Sequence, residues 1–176
     1  MDAVELAEAY ARDPTPEGLS ALRGAIMKDP GYDPLVLIGG TLNPLMREAR
    51  YQDVVETVRS WMPGVLLSPS AHGYLAGALS ALGETEGSRA ESKFSRLSLD
   101  SIAATGSGSP DDPCSVLRIE DEYDILRASS QHSVSQRNLS DERGQFDAHT
   151  VEDGTEIWFR LLWFASPGDE SSTREG

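Results

Sequence analysis

The sequence predicts an α+β protein, a stack of antiparallel helix pairs followed by a small mixed β-sheet unit with one helix. Up to residue 104, apolar residues recur at helical spacing in about three similar blocks, whereas after residue 113 they form short strand-like runs separated by turn residues. Residues 105–113 are rich in glycine, serine and proline, as connectors are. We therefore expect a helical region at 1–104, a linker at 105–113, an α+β unit at 114–165 and a flexible tail at 166–176.

Six helices are predicted in the first region. The first covers residues 3–12, and the second begins at Pro16, because Thr15 can cap a helix and proline suits the first helical position. The other four are predicted at 35–48, 52–62, 71–82 and 87–104. Pro44 lies inside the third helix and would clash with the carbonyl of Gly40, so we expect a kink there, with a true break as the alternative.

A repeat relates the second helices of the three pairs. Ala21, Val54 and Ala90 are equivalent positions, with offsets of 33 and 36 residues. Because one helix pair cannot cover its own apolar face, neighbouring pairs are expected to pack on one another.

The run Ala-Arg-Tyr-Gln-Asp-Val-Val at 49–55 resembles the junction between the two helices of a tetratricopeptide repeat. The first helices lack the tryptophan and the leucine-glycine pair of that superfamily. The resemblance covers roughly residues 1–104 and implies that this region binds a protein or peptide. Polar and aromatic side chains on the first helices of the pairs would then be the candidates for the binding groove: Asn43, Arg47, His72 and Tyr74.

In the second region, the residue pattern predicts a strand at 115–119 and a helix at about 120–128 that buries Tyr123 and Leu126. Further strands are predicted at 133–139, 145–152 and 156–164, with turns at 141–144 and 152–154. The last strand is apolar on both faces, which favours a covered strand; if one face were exposed, it would form a docking patch.

The whole chain also resembles the bacterial domain-of-unknown-function family 4919. Four segments carry this resemblance: the connector with the residue before it at 104–113, the run Glu-Asp-Glu-Tyr-Asp-Ile-Leu-Arg at 120–127, the strand at 145–149 and the aromatic strand at 157–159. It implies an architecture only, because that family has no assigned activity.

Charge and cysteine content exclude several classes of partner and site. The formal net charge is −14, with −9 of it in residues 105–176, so nucleic acid and anionic membrane surfaces are disfavoured. A basic protein partner, or solubility alone, fits this charge better. Cys114, the only cysteine, excludes an intramolecular disulfide and a thiolate zinc site, and we expect it to be buried. The N-terminal residues do not resemble a signal peptide, so the predicted location is the cytoplasm.

The case for an enzyme depends on Asp147 and His149. Two residues apart in a predicted strand, they share a face, where the carboxylate could orient the imidazole. The exposed polar face of an edge strand would explain the pair equally well, and we identify no nucleophile beside it. The acidic run at 120–122 suits a helix N-terminus and lacks the spacing of a calcium loop. No catalytic residue, metal site or cofactor is therefore predicted.

Three functions follow from these observations. The favoured prediction is a non-catalytic protein-binding or adaptor module. The first alternative is an acidic immunity or toxin-neutralising protein, suggested by the small size and the negative charge. The second is a hydrolase or transferase that uses Asp147 and His149.

Overall fold

The computed structural model describes residues 1–164, which form seven helices and a four-stranded mixed sheet, so the α+β class is confirmed. The helices are α1 (Ala3–Arg12), α2 (Pro16–Met27), α3 (Ile38–Arg47), α4 (Tyr51–Ser60), α5 (Pro69–Ala81), α6 (Thr85–Ala103) and α7 (Ile119–Ala128). The strands are β1 (Cys114–Val116), β2 (Ser133–Asp141), β3 (Gly144–Val151) and β4 (Glu156–Leu161). The described residues divide into two compact units, of which the first is Met1–Ser101 and the second begins at Ile102. The tail predicted at 166–176 lies outside the described residues.

Local capping sets the starts of the helices in the first unit. Asp2 accepts a hydrogen bond from the backbone N–H of Glu5, whose carboxylate accepts one in return from the Asp2 N–H. At α2, Thr15 Oγ1 accepts from the Gly18 N–H at 3.1 Å and Pro16 takes the first helical position, as predicted. The third helix continues through Pro44, so the alternative of a true break is wrong.

One hydrophobic cluster of the first unit is formed by α3, α4, α5 and the segment between α4 and α5. Its buried side chains are Ile38, Leu42, Val54, Val55, Val58, Val65, Ala71, Leu75, Ala78 and Leu79. The three positions that the sequence repeat makes equivalent differ in burial, because Val54 is fully buried while Ala21 and Ala90 are exposed. The apolar side of α6 is therefore less covered than that of α4.

The second unit is a sheet with the strand order β1-β4-β3-β2, in which β1 and β4 are parallel and the other neighbours are antiparallel. One face of this sheet packs with α7 and with the end of α6 to form a core of Ile102, Cys114, Val116, Leu126, Val151, Phe159 and Leu161. Cys114 is buried, as predicted. Tyr123 remains 36% exposed, so its predicted burial is wrong; its hydroxyl donates to Gln136 Oε1 at the exposed edge of the sheet.

The predicted turns of the second unit are present. Asp141 Oδ1 accepts from the Arg143 N–H at 2.7 Å, and Gly144 has a φ of +135°, a region that favours glycine. The residues from 105 to 113 belong to this unit and are folded, with a bridge between Ser109 and Asp112. Along residues 1–164, no helix is both long enough and apolar enough to cross a lipid bilayer.

Candidate functional site

The first unit contains an open cavity of about 620 Å³ beside α6, which we call the α6 groove. Its lining is Ala11 at the end of α1 together with eight residues of α6: Glu86, Arg89, Ala90, Lys93, Phe94, Arg96, Leu97 and Asp100. With a rise of 1.5 Å per residue, the stretch 86–100 gives the groove a length of about 21 Å along the helix. The shape is therefore elongated and follows one side of a single helix.

Apolar side chains form the floor of the α6 groove. Ala90, Phe94 and Leu97 are spaced four and three residues apart, so they lie on one face of the helix. The Phe94 ring stacks on His72, with a distance of 5.4 Å between the ring centroids. His72 is itself fixed, because its Nδ1 lies 2.6 Å from Glu91 Oε2 and its Nε2 lies 2.8 Å from the Leu66 carbonyl oxygen. The floor is thus supported from inside the unit.

The rim of the α6 groove carries unneutralised cations. Arg96 Nε donates to Asp100 at 2.9 Å, so these two charges compensate each other. Arg89 and Lys93 are exposed and make no hydrogen bond or ion pair with any residue from 1 to 164. Glu86 at the end of the groove is also exposed and makes no hydrogen bond or ion pair with any residue from 1 to 164. The lining therefore has a formal charge of +1, because it holds three cations and two anions. Although the whole chain carries −14, the groove is locally positive above an apolar floor.

None of the four residues predicted to bind a ligand lines the α6 groove: Asn43, Arg47, His72 and Tyr74. Asn43 and Arg47 are exposed on α3, and Tyr74 packs against the α3–α5 core. His72, which was predicted to line a binding groove, is buried, and its ring stacks on that of Phe94. The sequence did contain a signal for the groove, since the repeat makes Ala90 equivalent to Val54, which is buried in α4.

A second candidate site lies in the other unit, where α7, β2 and β3 bring together Glu122, Ser133 and His149. His149 Nε2 lies 2.6 Å from Glu122 Oε2, and His149 Nδ1 lies 2.9 Å from Ser133 Oγ. Glu122 and His149 are fully buried, whereas Ser133 is partly exposed. The Tyr123 and Phe159 rings contact the imidazole edge to face, at centroid distances of 5.3 and 5.6 Å, and hold its orientation.

Burial changes the acidity of Glu122. Its pKa is raised to about 7, chiefly because burial disfavours the charged form. The hydrogen bond to His149 opposes this shift, and the negative charges of Asp147 and Asp121 add to it. Within residues 1–164, Glu122 Oε1 is buried without a hydrogen-bond partner. The Glu122 carboxyl group can therefore exchange its proton near neutral pH.

Asp147 is fully buried but has a different role from the one predicted. Its carboxylate accepts from Gln136 Nε2 at 2.7 Å and from Asn138 Nδ2. The carboxylate that bonds His149 is that of Glu122, so the expectation that Asp147 orients the imidazole is wrong. The exposed edge-strand explanation is also wrong, because β3 pairs on both sides and both side chains are buried.

Ser133 and Glu122 were missed because they are 16 and 27 residues from His149 in the chain. Only the register of β2 on β3 and the placement of α7 over the sheet bring them together. Within the described ranges, no group of three or more histidine, cysteine or acidic side chains could hold a metal ion.

No family model, curated protein or solved structure matches this chain. The resemblances to the tetratricopeptide-repeat superfamily and to family 4919 therefore stay predictions.

Proposed function

We propose that the protein is a peptide-binding module whose α6 groove receives an acidic, amphipathic helix of a partner protein. The observation that carries this proposal is the combination of an apolar floor with two cations, Arg89 and Lys93, that no residue from 1 to 164 neutralises. An acidic helix with one apolar face would complement both features at once.

The length of the α6 groove supports a helix as the ligand. A groove of about 21 Å accommodates about four helical turns, or roughly 14 residues. In helix-in-groove recognition, apolar anchors spaced three and four residues apart enter the groove while the polar face stays in water. A compact small molecule would contact only part of the floor formed by Ala90, Phe94 and Leu97.

The local charge of the groove outweighs the charge of the whole chain in choosing the partner. The formal charge of −14 alone favours a basic partner. However, exposed charges are screened over about 8 Å at physiological ionic strength, so a segment bound in the groove responds mainly to the charges of the lining. Those charges sum to +1, because Arg89, Lys93 and Arg96 outnumber Glu86 and Asp100. We therefore propose an acidic segment, in a partner that meets the protein in the cytoplasm. The toxin-neutralising alternative stays a prediction without a supporting feature of the geometry.

Display of a peptide library tests the proposal directly. One half of the library contains 14-residue acidic sequences with apolar residues at helical spacing, and the other half contains the same compositions with that spacing scrambled. We expect the full-length protein to enrich the first half only. Enrichment of neither half, or of both equally, would refute recognition of an amphipathic helix.

Fluorescence anisotropy of an enriched peptide then tests the location. The chain has two lysines, and Lys28 at the end of α2 is an exposed control for Lys93. We expect Lys93→Glu to weaken binding by about fivefold or more, because it replaces an attraction with a repulsion, and Lys28→Glu to change it little. Ala90→Glu is also expected to weaken binding, since Ala90 is exposed on the groove floor and the change leaves the core intact. Equal effects of the two lysine changes would place binding elsewhere.

A further inference from the structure

We propose that Ser133, His149 and Glu122 form a nucleophile–base–carboxylate relay that accepts an acyl group from a carboxylic ester. This would be a second activity, independent of peptide binding, since all three residues lie in the second unit.

The geometry of the relay carries the proposal. Two short contacts join the three side chains in series, Ser133 Oγ to His149 Nδ1 at 2.9 Å and His149 Nε2 to Glu122 Oε2 at 2.6 Å. Nucleophile, base and orienting carboxylate in hydrogen-bond contact are the arrangement that activates a serine, whatever the fold. Either ring nitrogen can take up a proton, so Nδ1 can serve as the base while the carboxylate holds Nε2–H.

The differences in burial suit these roles. Glu122 and His149 are fully buried, so the base and the group that orients it are shielded from water. Ser133 is partly exposed and begins β2, which is an edge strand of the sheet formed by the described residues. The β2–β3 register shifts between Ser133 and Ser135, and the intervening Val134 is 63% exposed. Irregularities of this kind re-aim side chains beside active sites, and here Ser133 is the member of the relay that an ester can reach.

The acyl transfer balances with these groups alone. Ser133 Oγ forms a bond to the carbonyl carbon of the ester while its hydroxyl proton moves to His149 Nδ1. The Glu122 carboxylate stabilises the resulting imidazolium through Nε2–H. The ester C–O bond breaks, and the leaving alcohol takes the proton from Nδ1. Water then attacks the acyl-serine by the same path, and the acid is released as Ser133 regains its proton.

The proton on the Glu122–His149 pair controls the relay. Ser133 Oγ also donates to the Ser135 carbonyl oxygen at 3.1 Å, which it does when Nδ1 carries a proton and acts as the donor. When the Glu122–His149 pair loses one proton, the imidazole keeps its hydrogen on Nε2, facing the ionised Glu122 carboxylate. The lone pair of Nδ1 can then accept a hydrogen bond from the Ser133 hydroxyl. The other charged or titratable groups near the pair are Asp121 and Tyr123 on α7 and Asp147 on β3. Because burial and these carboxylates raise the pKa of Glu122 to about 7, serine activation should increase as the pH rises through 7.

Labelling of the full-length protein with an alkyl fluorophosphonate tests the proposal, since this probe phosphonylates activated serines. Intact mass and peptide mapping at pH values from 5.5 to 8.5 are expected to show one adduct, on Ser133, forming about tenfold faster at the upper end of this range. Ser133→Ala should abolish the adduct, whereas Ser135→Ala, the matched control on the same strand, should retain it.

Glu122→Gln separates a role in the relay from a role in folding. This variant keeps the size of the side chain and removes its ionisation, so we expect labelling to fall at least about tenfold and to lose its rise near pH 7. Circular dichroism confirms that the variant is folded before labelling. Modification of Ser133 no faster than of other exposed serines at pH 8.5, or labelling of Glu122→Gln with the wild-type rate and pH profile, would overturn the proposal. Either result leaves the binding of peptides to the α6 groove unaffected.

Discussion

The buried Glu122 carboxyl group predicts a stability that decreases as the pH rises. In the unfolded chain this group has an ordinary pKa of 4.5, whereas in the folded protein the pKa is raised to about 7. Between these values the folded state binds more protons than the unfolded state, so raising the pH favours unfolding. The contribution of Glu122 is fully present below 4.5 and is lost as the pH rises through 7.

The size of this effect follows from the two pKa values. With one pKa unit equal to about 1.36 kcal/mol, linkage predicts that Glu122 lowers the free energy of unfolding by roughly 2 to 3 kcal/mol between pH 5 and pH 8. Glu122→Gln cannot ionise and should lack this loss. Carboxylates with a lowered pKa, such as those of Asp141 and Glu156, act at lower pH and do not contribute in this range.

Urea unfolding at pH 5, 6, 7 and 8 measures the difference. Of the three tryptophans, Trp61 lies in the first unit, so tryptophan fluorescence in a Trp61→Phe background reports on the second unit, which contains Trp158 and Trp163. Glu142→Gln, an exposed change in the β2–β3 turn, is the matched control and should behave like the unchanged protein. Parallel pH dependence of the Glu122→Gln variant and its parent would refute the reasoning.

Two further predictions concern the backbone at two glycines and the side chain of Asp147, which lies near the buried Glu122–His149 pair. Gly24 and Gly144 both have open space where a Cβ would lie, but Gly144 has a φ of +135° and Gly24 lies inside α2. Gly24→Ala is expected to raise the free energy of unfolding by up to about 1 kcal/mol and Gly144→Ala to lower it by at least that amount; urea unfolding of both variants checks the opposite signs. Asp147→Asn removes a charge that raises the pKa of Glu122, so the loss of stability between pH 5 and pH 8 should become smaller than in the unchanged protein. An unchanged or larger loss, measured by the same titration, would contradict the electrostatic coupling of these side chains.

Features encoded within a few residues were predictable from the sequence. The start of α2 at Thr15 and Pro16 and the turn at 141–144 were predicted correctly, because capping, proline geometry and turn residues act locally. The division into helices and then strands was also correct, since it depends on the period of the apolar residues. The burial of Cys114 followed from its small, apolar character beside a strand.

Contacts between side chains that are distant in the sequence could be identified only from the tertiary structure. That Asp147 and His149 share one strand face was evident from their spacing, but which carboxylate bonds the imidazole depends on where α7 lies over the sheet. The contact with Ser133 depends on the register of β2 and β3, which the alternation of side chains in either strand does not specify.

The sequence by itself determined the class of fold, the order of its elements and most of their ends to within about two residues, because these depend on propensity and periodicity along the chain. The predicted start of α3 and the predicted ends of β1 and β4 each lie three residues outside the observed element. The tertiary structure decided that His72 supports a groove from inside and that Glu122, rather than Asp147, bonds His149. The physical reason is that burial and pairing depend on which surfaces meet in space, and two residues with the same local pattern can meet different neighbours.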